Sequence, residues 1–365
     1  MKKAIVSMMV VAANAAFAQS SVTVFGIIDA GVSYGKGSGA GSANKLQVSN
    51  SAHQSSRLGF RGVEDLGGGM SASFWLEAGM TNDDGQGGAT NANNQATGTG
   101  PAVAGRQGLS FNRRSTLSLA GAWGELRLGR DYTPAFLNIP AFEPFTVNGV
   151  GTAQNFVGAF ASGAPYAATG GTGVVARVSN SVGYLLPANL GGFYGQAMYY
   201  MGENASNAPN SKDGTGAGLR VGYASGPVNA AFGTNKTKYI AGNVTSSNLG
   251  ASYDFDVVKV MAQVSRDEVS GAAADGKGAV VGAVLRLAPG EVRTSWSTYK
   301  TTAAGNPKAS KFAIGYVHNL SKRTAVYGTA ARLRNSGGSA QSLAGSITAP
   351  NSSSTGFDIG LRHSF

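Results

Sequence analysis

Arginine is the residue type whose placement in this sequence could do chemistry. Arg57, Arg61, Arg114 and Arg177 lie in segments where polar and apolar residues alternate, and each falls on the polar face. A guanidinium group keeps its charge at any pH that a membrane survives, and it binds anions through a planar fork of donors. A wall of such groups around water would concentrate anions. The arginines that the same alternation places on the polar face of later segments are Arg220, Arg286 and Arg293.

Carboxylates on the same face could cancel this positive charge. Asp29, Glu77 and Glu143 are the candidates, and a pair of opposite charges 4 Å apart gains about 4 kcal/mol at an effective dielectric constant near 20. The chain has 29 Lys and Arg against 18 Asp and Glu, and the excess remains after removal of Lys2 and Lys3 with a signal segment. The balance favours attraction of anions, and local pairing stays open as the alternative.

The other reactive residue types do not form a catalytic pattern. The three histidines, His53, His318 and His363, are not beside a serine in a G-x-S-x-G context, and no His, Cys or Asp cluster has metal-ligand spacing. The glycine runs "GKGSGAG" and "GTGAG" are not followed by Lys-Ser/Thr at the spacing of a phosphate loop. We therefore expect no enzyme, no cofactor and no metal, and keep a hydrolase as a less favoured alternative.

The elements that must position the arginines are sixteen segments with a two-residue period, mostly about ten residues long. The first is "SVTVFGIIDAGVSYGK" and the last is "TGFDIGLRHSF", in which Phe357, Ile359 and Leu361 share one face and Asp358 and Arg362 share the other. Tilted strands of this length span a bilayer, with apolar residues facing lipid and polar residues facing a lumen. The pattern predicts an all-β fold, a transmembrane antiparallel β-barrel of 16 strands. Arg113, which the period places on the apolar face of "RQGLSFNRRSTLSLAG", does not fit it.

The connections between the segments alternate in length. Those after even-numbered segments are tight, such as "GAW", "GP" and "APG", whereas those after odd-numbered segments are longer and polar. Short turns on one rim and long loops on the other are typical of a bacterial outer-membrane barrel. We expect the short turns and both termini at the periplasmic rim and the long loops outside the cell.

The two ends of the chain support export and closure. Lys2 and Lys3, an apolar run and the site Ala16-Phe17-Ala18 predict a signal peptide at residues 1–18, with residues 19–365 forming a single barrel domain. At the other end, an open sheet edge cannot exist in hydrocarbon, so the last strand must pair with the first. Phe365 then closes the barrel at the periplasmic interface as part of the aromatic girdle.

Composition excludes several classes of protein. The formal charge is +11, but no dense Lys/Arg run and no zinc-finger spacing support nucleic-acid binding. Cysteine is absent, so no disulfide scaffold is possible. Beyond residue 18 no apolar run is long enough for a membrane-spanning helix, which leaves a soluble β-protein or a barrel that crosses the membrane with strands.

Five stretches in order resemble the general porins of Gram-negative outer membranes, in particular the β-proteobacterial type. They are "SSVTVFGIIDAGVSYG", "SSRLGFRGVEDLGGGMSASFWLE", "RRSTLSLAGAWGELRLGRDYTP", "SNSVGYLLP" and "GLRHSF". The resemblance implies a sixteen-stranded barrel whose third external loop narrows the pore. It also implies a homotrimer, with the Thr81 to Ala104 loop as a candidate latch between subunits, and it implies that the barrel assembly machinery recognises the C-terminal strand.

The longest break in the strand pattern is Pro134 to Gly173. Its stretch "PAFLNIPAFEPFTVNG" is apolar and aromatic, and Glu143 is the only charged residue of the loop. A loop of this length is usually functional, and folding into the lumen would bury its apolar residues. An external lid is the alternative. The enteric porins carry a different acidic pattern in this loop, so their constriction does not transfer in detail.

Together these features predict an outer-membrane porin among outer-membrane lipids, which passes small hydrophilic solutes and ions, with a preference for anions. The predicted constriction consists of Arg57, Arg61, Arg114, Arg177 and Glu143. Within it, Arg57, Arg114 and Arg177 form the wall that faces the loop. A structural or adhesive barrel with a plugged lumen is the alternative, and conductance would distinguish the two.

Overall fold

The computed structural model describes residues 21–88, 94, 108–155, 176–239, 242–270 and 275–365. The predicted signal peptide lies outside these described residues. So do residues 156–173 of the predicted inward loop and most of the predicted Thr81 to Ala104 latch. No described helix is both long enough and apolar enough to cross a membrane.

The described residues form eighteen strand segments and two short 3-10 helices. The segments are β1 Ser21–Lys36, β2 Lys45–Asn50, β3 Arg57–Gly67, β4 Met70–Thr81, β5 Gln86–Gly87, β6 Arg114–Gly121, β7 Gly124–Tyr132, β8 Arg177–Leu185, β9 Phe193–Tyr200, β10 Gly216–Ser225, β11 Val228–Tyr239, β12 Gly242–Asp254, β13 Val258–Val269, β14 Gly276–Leu287, β15 Gly290–Thr301, β16 Lys308–Asn319, β17 Thr324–Ser336 and β18 Ser353–Ser364. The 3-10 helices are Phe136–Asn138 and Ala153–Asn155.

These segments make sixteen spanning strands in one closed antiparallel sheet. Each strand pairs with its neighbours in sequence, and β1 closes the sheet against β18 from Ile27↔Ser364 to Lys36↔Thr355. The segments β2 and β3 are two parts of one spanning strand, because both pair with β1 and residues 51–56 interrupt them. The two-residue β5 does not span the membrane and only pairs with the end of β4. The prediction of a closed 16-stranded barrel is confirmed.

The two rims of the barrel differ as the connection lengths predict. Turns of a few residues, such as 122–123 and 226–227, join strands at the rim that also carries both ends of the described barrel. At the opposite rim, longer segments connect the strands, for example residues 201–215 and 337–352. The long-loop rim and the short-turn rim are named accordingly below.

Side-chain alternation on the strands is reversed from that of a soluble protein. On β18, Phe357, Ile359 and Leu361 are 45%, 69% and 48% exposed on the outside, whereas Asp358 faces inward and is 2% exposed. Exposed Val22, Val24 and Val32 continue the outer apolar surface on β1. Lipid is therefore the solvent that this outer face matches.

Phe365 follows the last residue of β18 and continues its pairing with β1. Its backbone N–H donates to the carbonyl of Gly26 and its carbonyl accepts from the N–H of Gly26, both at 3.1 Å. A Cβ on Gly26 would lie 2.3 Å from the Phe365 ring, so the ring packs directly over this glycine. The terminal residue thus takes part in the seam between the first and last strands.

Three strand starts differ from the prediction by five or more residues. The fourth strand, predicted to begin at residue 106, begins at Arg114 among the described residues, because residues 108–113 bend and hydrogen-bond to β4 and its end rather than continuing the ladder. The spanning strand predicted from residue 55 starts earlier, as β2. The strand predicted from residue 247 starts at Gly242, because the polar residues before it pair with β11.

Candidate functional site

Alternate spanning strands, which contain β3, β6 and β8, bring Arg57, Arg114 and Arg177 to a similar height on the inner wall near the long-loop rim. Arg57 on β3 lies opposite Gly79, and Arg114 on β6 lies opposite Glu77 of the same strand β4. Arg177 begins β8 opposite Tyr132 at the end of β7. Gly79 and Glu77 are two residues apart on β4, so Arg57 and Arg114 share the inner face, and the Tyr132 hydroxyl joins Arg177 to Arg113 beside them. This wall, with Arg113, is called the arginine wall below.

Tyr132 links two members of the arginine wall. Its hydroxyl oxygen accepts from Nη2 of Arg177 at 2.7 Å and from Nη2 of Arg113 at 2.9 Å. The Arg177 guanidinium carbon also lies 4.4 Å from the centroid of the Tyr132 ring, within cation–π range. The tyrosine therefore fixes two guanidinium groups without neutralising their charge.

Carboxylates neutralise only part of the wall. Glu77 pairs with Arg113 and lies 3.8 Å from Nε of Arg57. Asp131 pairs with Arg127 at 2.7 Å and lies 3.8 Å from Arg114. Glu125 pairs with Arg127 at 2.7 Å. Five arginines, if Arg177 is included, thus share three carboxylates, which leaves an excess of positive charge on this wall.

The ion pairs show how far the predicted carboxylates cancel the positive charge of the arginines. Of Asp29, Glu77 and Glu143, only Glu77 forms an ion pair with an arginine among the described residues. Asp29 is fully buried and accepts from the backbone N–H groups of His53 and Gln54 and from the Tyr327 hydroxyl. Local pairing is present, but it is incomplete. The side chains of Arg57 and Arg114 remain 26% and 19% exposed to the lumen.

Arg61 lies on the same face of β3 as Arg57, farther toward the short-turn rim, and aromatic rings hold it. Its guanidinium carbon is 5.4 Å from the ring centroids of both Phe25 and Trp75. Arg114 approaches the same indole at 4.8 Å, while the indole N–H donates to Glu77. Trp75 therefore connects Arg61 to the arginine wall and leaves its charge uncancelled.

The three later arginines occupy different places. Arg220 on β10 donates through Nε to the Asn138 side chain at 2.6 Å, so it contacts the inward loop. Arg293 on β15 pairs with Glu291 and approaches Nδ1 of His53 at 3.4 Å. Arg286 pairs with Asp254 beside the short turn after β12 and is 45% exposed. These three arginines do not join the arginine wall.

The described half of the inward loop, residues 133–155, follows the opposite part of the inner wall. Asn138 donates to the Ala231 carbonyl and to the Asn248 side chain, and the Asn248 amide donates back to the Ala135 carbonyl at 2.8 Å. Further along, the Val150 N–H donates to Asp358 at 2.6 Å. These contacts attach the loop successively to β11, β12 and β18 inside the barrel.

Glycines on that wall make room for the loop. A Cβ on Gly250 of β12 would lie 2.1 Å from the ring of Phe142, which is fully buried, and a Cβ on Gly282 of β14 would lie 2.6 Å from Pro144. Phe145 and Val150 extend this contact into a buried apolar cluster with wall residues such as Val280 and Leu333. The prediction that the aromatic stretch folds into the lumen is confirmed for the described part of the loop.

Glu143 is buried within this loop rather than exposed to the lumen. It is 2% exposed, and its carboxylate accepts from the Thr152 hydroxyl at 3.1 Å and the Ala153 N–H at 2.5 Å. Burial raises the pKa of Glu143 to about 7, against the opposing field of Lys311. The carboxyl group therefore joins two parts of the loop, and sequence alternation could not show this because the loop is not a strand.

Residues 51–56 make a second, shorter inward fold. His53 is buried and lies 5.3 Å from Tyr327, ring centroid to ring centroid. The Ser55 hydroxyl donates to the Asn148 side chain at 2.9 Å, which joins this fold to the inward loop. The signal for it in the sequence was only the break between two alternating segments.

The histidines do not form a hydrolase site among the described residues. His318 contacts the Tyr316 hydroxyl at 3.2 Å and His363 contacts the Thr324 hydroxyl at 2.9 Å, both near the short-turn rim. No group of three or more His, Cys, Asp or Glu residues that could hold a metal ion occurs in the part of the chain that the structure describes. The feature that the described geometry offers is a lumen with a charged wall.

A closed sixteen-stranded barrel with an apolar exterior, a loop inside the lumen and a basic wall defines the class of outer-membrane pore proteins. The chain belongs to the Gram-negative porin family, whose sequence pattern matches residues 4–338.

Relatives along the whole chain carry the same description. The chain is 36% identical over 385 residues to outer membrane porin protein 32 of Delftia acidovorans and 27% identical over 432 residues to an outer membrane porin protein of Bordetella pertussis, covering 100% of both chains in each case. Its fold is similar to a solved anion-selective porin from Comamonas acidovorans, with a TM-score of 0.78, 34% identity, and coverage of 95% of this chain and 100% of that one. OmpT of Vibrio cholerae, at 14% identity and a TM-score of 0.63 over 95% of this chain and 98% of that one, shares the fold.

Proposed function

We propose that this protein forms a water-filled channel in the outer membrane through which small hydrophilic solutes and ions diffuse, and that the channel prefers anions. The observation that carries the preference is the arginine wall, where Arg57, Arg114 and Arg177 share a height with too few carboxylates to neutralise them. Passing anions exchange part of their hydration for guanidinium contacts spread over several positions, which lets them leave again. The anion-selective relative from Comamonas acidovorans supports the same direction.

The constriction in this proposal lies between the arginine wall and the inward loop. Arg57, Arg114 and Arg177 supply the field, and Arg61 extends it toward the short-turn rim. Glu143 shapes the loop from within. Because the loop is attached to the wall of β11, β12 and β18, the conducting path runs past the arginines.

Single-channel recording tests the proposal. Purified protein in a planar bilayer with a tenfold KCl gradient should conduct, and its zero-current potential should move toward the equilibrium potential of chloride. A potential nearer that of potassium would contradict anion preference. Absence of conductance from correctly folded protein would instead favour the structural or adhesive barrel with a closed lumen.

We further propose a homotrimer, exported with cleavage before Gln19 and delivered to the outer membrane by the barrel assembly machinery. The family membership supports the export, and the A-x-A site specifies the cleavage position. Intact mass measurement in mild detergent checks the trimer and the cleavage position, because it gives the number of subunits and the first residue. A conducting monomer, or a chain that retains Met1 in the membrane, would contradict them.

A further inference from the structure

The last long loop, residues 337–352, folds back over the mouth of the barrel. Leu343 in this loop is 1% exposed, and its backbone N–H donates to the Ser354 hydroxyl of β18 at 3.0 Å. Further along, Ile347 exchanges two backbone hydrogen bonds with Ala43, at 2.9 and 3.0 Å. Contacts with both the last strand and the segment after β1 make this loop a fixed wall at the long-loop rim.

A pocket of about 330 Å³ opens into the lumen between this loop and the inner wall. Its back is formed by β1, β2 and β18, and residues 342–345 bound it toward the rim. On the deeper side, Ala52 of the shorter inward fold and residues 149–150 of the inward loop form its floor. Three separate parts of the chain thus enclose one space on the inner face, which is called the vestibule pocket below.

Hydroxyl, amide and carboxylate groups form the back of the vestibule pocket. Gln47 of β2 lies directly opposite Ser33 of β1, and Asp358 of β18 lies opposite Ser33 on the other side. Direct partners in an antiparallel sheet share a face, so all three side chains point inward. The Ser33 hydroxyl donates to Asp358, and its oxygen lies 2.7 Å from that of Ser49. This hydrogen-bonded row fixes the polar groups at the back of the pocket.

Two side chains of the vestibule pocket keep their hydrogen-bonding groups free. The Gln47 amide and the Ser342 hydroxyl are half-buried, and neither forms a side-chain hydrogen bond within the part of the chain that the structure describes. An amide presents a donor and an acceptor side by side, and a hydroxyl acts as either. Both kinds of group are therefore available to a solute that can donate and accept at neighbouring atoms.

The charges around the vestibule pocket favour neither an anion nor a cation. Its described lining contains no lysine, arginine or histidine, and its one charged group is Asp358. This carboxylate is 2% exposed and already accepts from the Ser33 hydroxyl and, at 2.6 Å, from the Val150 N–H. Lys45 packs beside Gly345 at the edge of the pocket but is exposed, so bulk water and salt screen its charge. An uncharged solute fits this lining best.

We propose that the vestibule pocket binds a small uncharged polyhydroxylated solute, about the size of a monosaccharide, before the solute reaches the constriction. Adjacent hydroxyl groups match the side-by-side donor and acceptor of Gln47, and the Ser342 hydroxyl faces the same space. The volume lies at the lower end of the range for small-molecule pockets, which suits one such solute. The inference rests on the proposed function in requiring an open lumen, but it does not depend on the preference for anions.

Saturation-transfer difference NMR of the purified protein in detergent tests this proposal, with myo-inositol as the probe and cyclohexanol and glycine as comparisons. Cyclohexanol keeps the six-membered ring with a single hydroxyl, and glycine is a small zwitterion. The test variant is Gln47→Leu with Ser342→Ala. Gln86→Leu with Ser211→Ala is the matched control, because both residues also lie at the long-loop rim but outside the pocket. Heat-modifiable migration on gels reports folding for every variant.

We expect the wild type and the control to bind myo-inositol equally and the test variant to bind it about tenfold more weakly, as for the loss of one or two hydrogen bonds. Equal binding by wild type and test variant, or no binding by folded wild type, would overturn the site. Binding of cyclohexanol or glycine as tight as that of myo-inositol would overturn the class of solute. A wild type that binds myo-inositol but does not conduct would contradict the proposed channel while supporting the pocket.

Discussion

The lumen has two walls that the same alternating strand pattern builds in opposite ways. On β3 to β8, the inward positions near the long-loop rim carry arginines with incomplete ion pairing. On β10 to β18, comparable inward positions carry glycines, and the loop of residues 133–155 packs against them. One wall is charged and keeps contact with water, and the other is covered by apolar side chains.

The difference shows that residue size on an inward face specifies what fills the space in front of it. A guanidinium group needs water or an anion in front of it, since leaving it buried and unpaired costs several kcal/mol. A glycine leaves a depression, which an aromatic ring such as that of Phe142 can fill. The loop therefore lies on the glycine side, and the open path lies on the arginine side.

Reversing the charge of the arginine wall should have the largest effect. Arg57→Glu, Arg114→Glu and Arg177→Glu together should move the zero-current potential in a KCl gradient across zero toward cation preference. The physical reason is that the local field changes sign where the arginines line the path. The three corresponding Gln substitutions should give an intermediate potential.

Outward charges provide the control for this experiment. Lys236→Glu, Lys238→Glu and Lys277→Glu change the net charge equally but lie on the outer face. The zero-current potential of this control should equal that of the wild type. If the lumen and outer variants shift the potential equally, the total charge and not the arginine wall sets the preference.

The sequence could assign the arginines of this wall to one face because residues on strands follow a two-residue period. The two-residue period placed Arg57, Arg114 and Arg177 on the inner face, and alternation of loop lengths gave the direction of each strand. Arg113 was missed because it precedes β6, where the backbone bends and the strand period no longer applies. Tyr132, which joins Arg113 to Arg177, has no signal in the sequence apart from its place at the end of a strand.

The seam at which the two walls meet can be opened at Phe365. Deletion of this residue removes two backbone hydrogen bonds to Gly26 and the ring that packs over it, so we expect severalfold less assembled barrel in the outer membrane. The molecules that do insert should keep wild-type conductance. Heat-modifiable migration on gels measures the folded fraction.

A smaller side chain at residue 365 distinguishes the ring from the hydrogen bonds. Phe365→Ala removes the ring that packs over Gly26 and keeps both backbone hydrogen bonds. It should lower assembly less than the deletion does. Normal yield from the deletion would mean that the last residue has no part in closure.

The wall that the loop covers can be tested by adding a side chain at one of its glycines. Gly250→Val should displace Phe142 and move the loop toward the arginine wall, so single-channel conductance should fall by about half with little change in ion preference. Gly183→Ala is the control, since its added Cβ would meet no atom closer than 3.8 Å. Unchanged conductance in Gly250→Val would show that the loop does not set the width of the path.

Loop attachment was the part of the site that the sequence could not predict in detail. Its apolar composition predicted burial, but the partners of Asn138 and Val150 lie about 90 to 210 positions away in the chain, where neither period nor composition connects them. Glu143 was placed correctly in the loop, yet its bonds to Thr152 and Ala153 depend on a turn that no strand period describes.

Glu143 should give the smallest effect, a pH dependence of loop stability. Burial raises its pKa to about 7, so between its ordinary value and pH 7 the folded state binds more protons than the unfolded state. Its contribution to stability therefore decreases as pH rises through this interval, and Glu143→Gln should remove that decrease. The difference in thermal unfolding midpoint between wild type and Glu143→Gln should change by about 2 °C or more from pH 5 to pH 8.

Glu203→Gln is the control for the general effect of removing a carboxylate, because Glu203 lies in an exposed loop at the long-loop rim. That variant should follow the wild type across the whole interval. Titrating groups distant from the loop act equally in wild type and Glu143→Gln and cancel in the difference, whereas Lys311, whose charge interacts with Glu143, contributes to it. A difference that stays constant with pH would mean that water reaches Glu143 and that the covered wall is less tightly closed than its contacts with Phe142 and Val150 indicate.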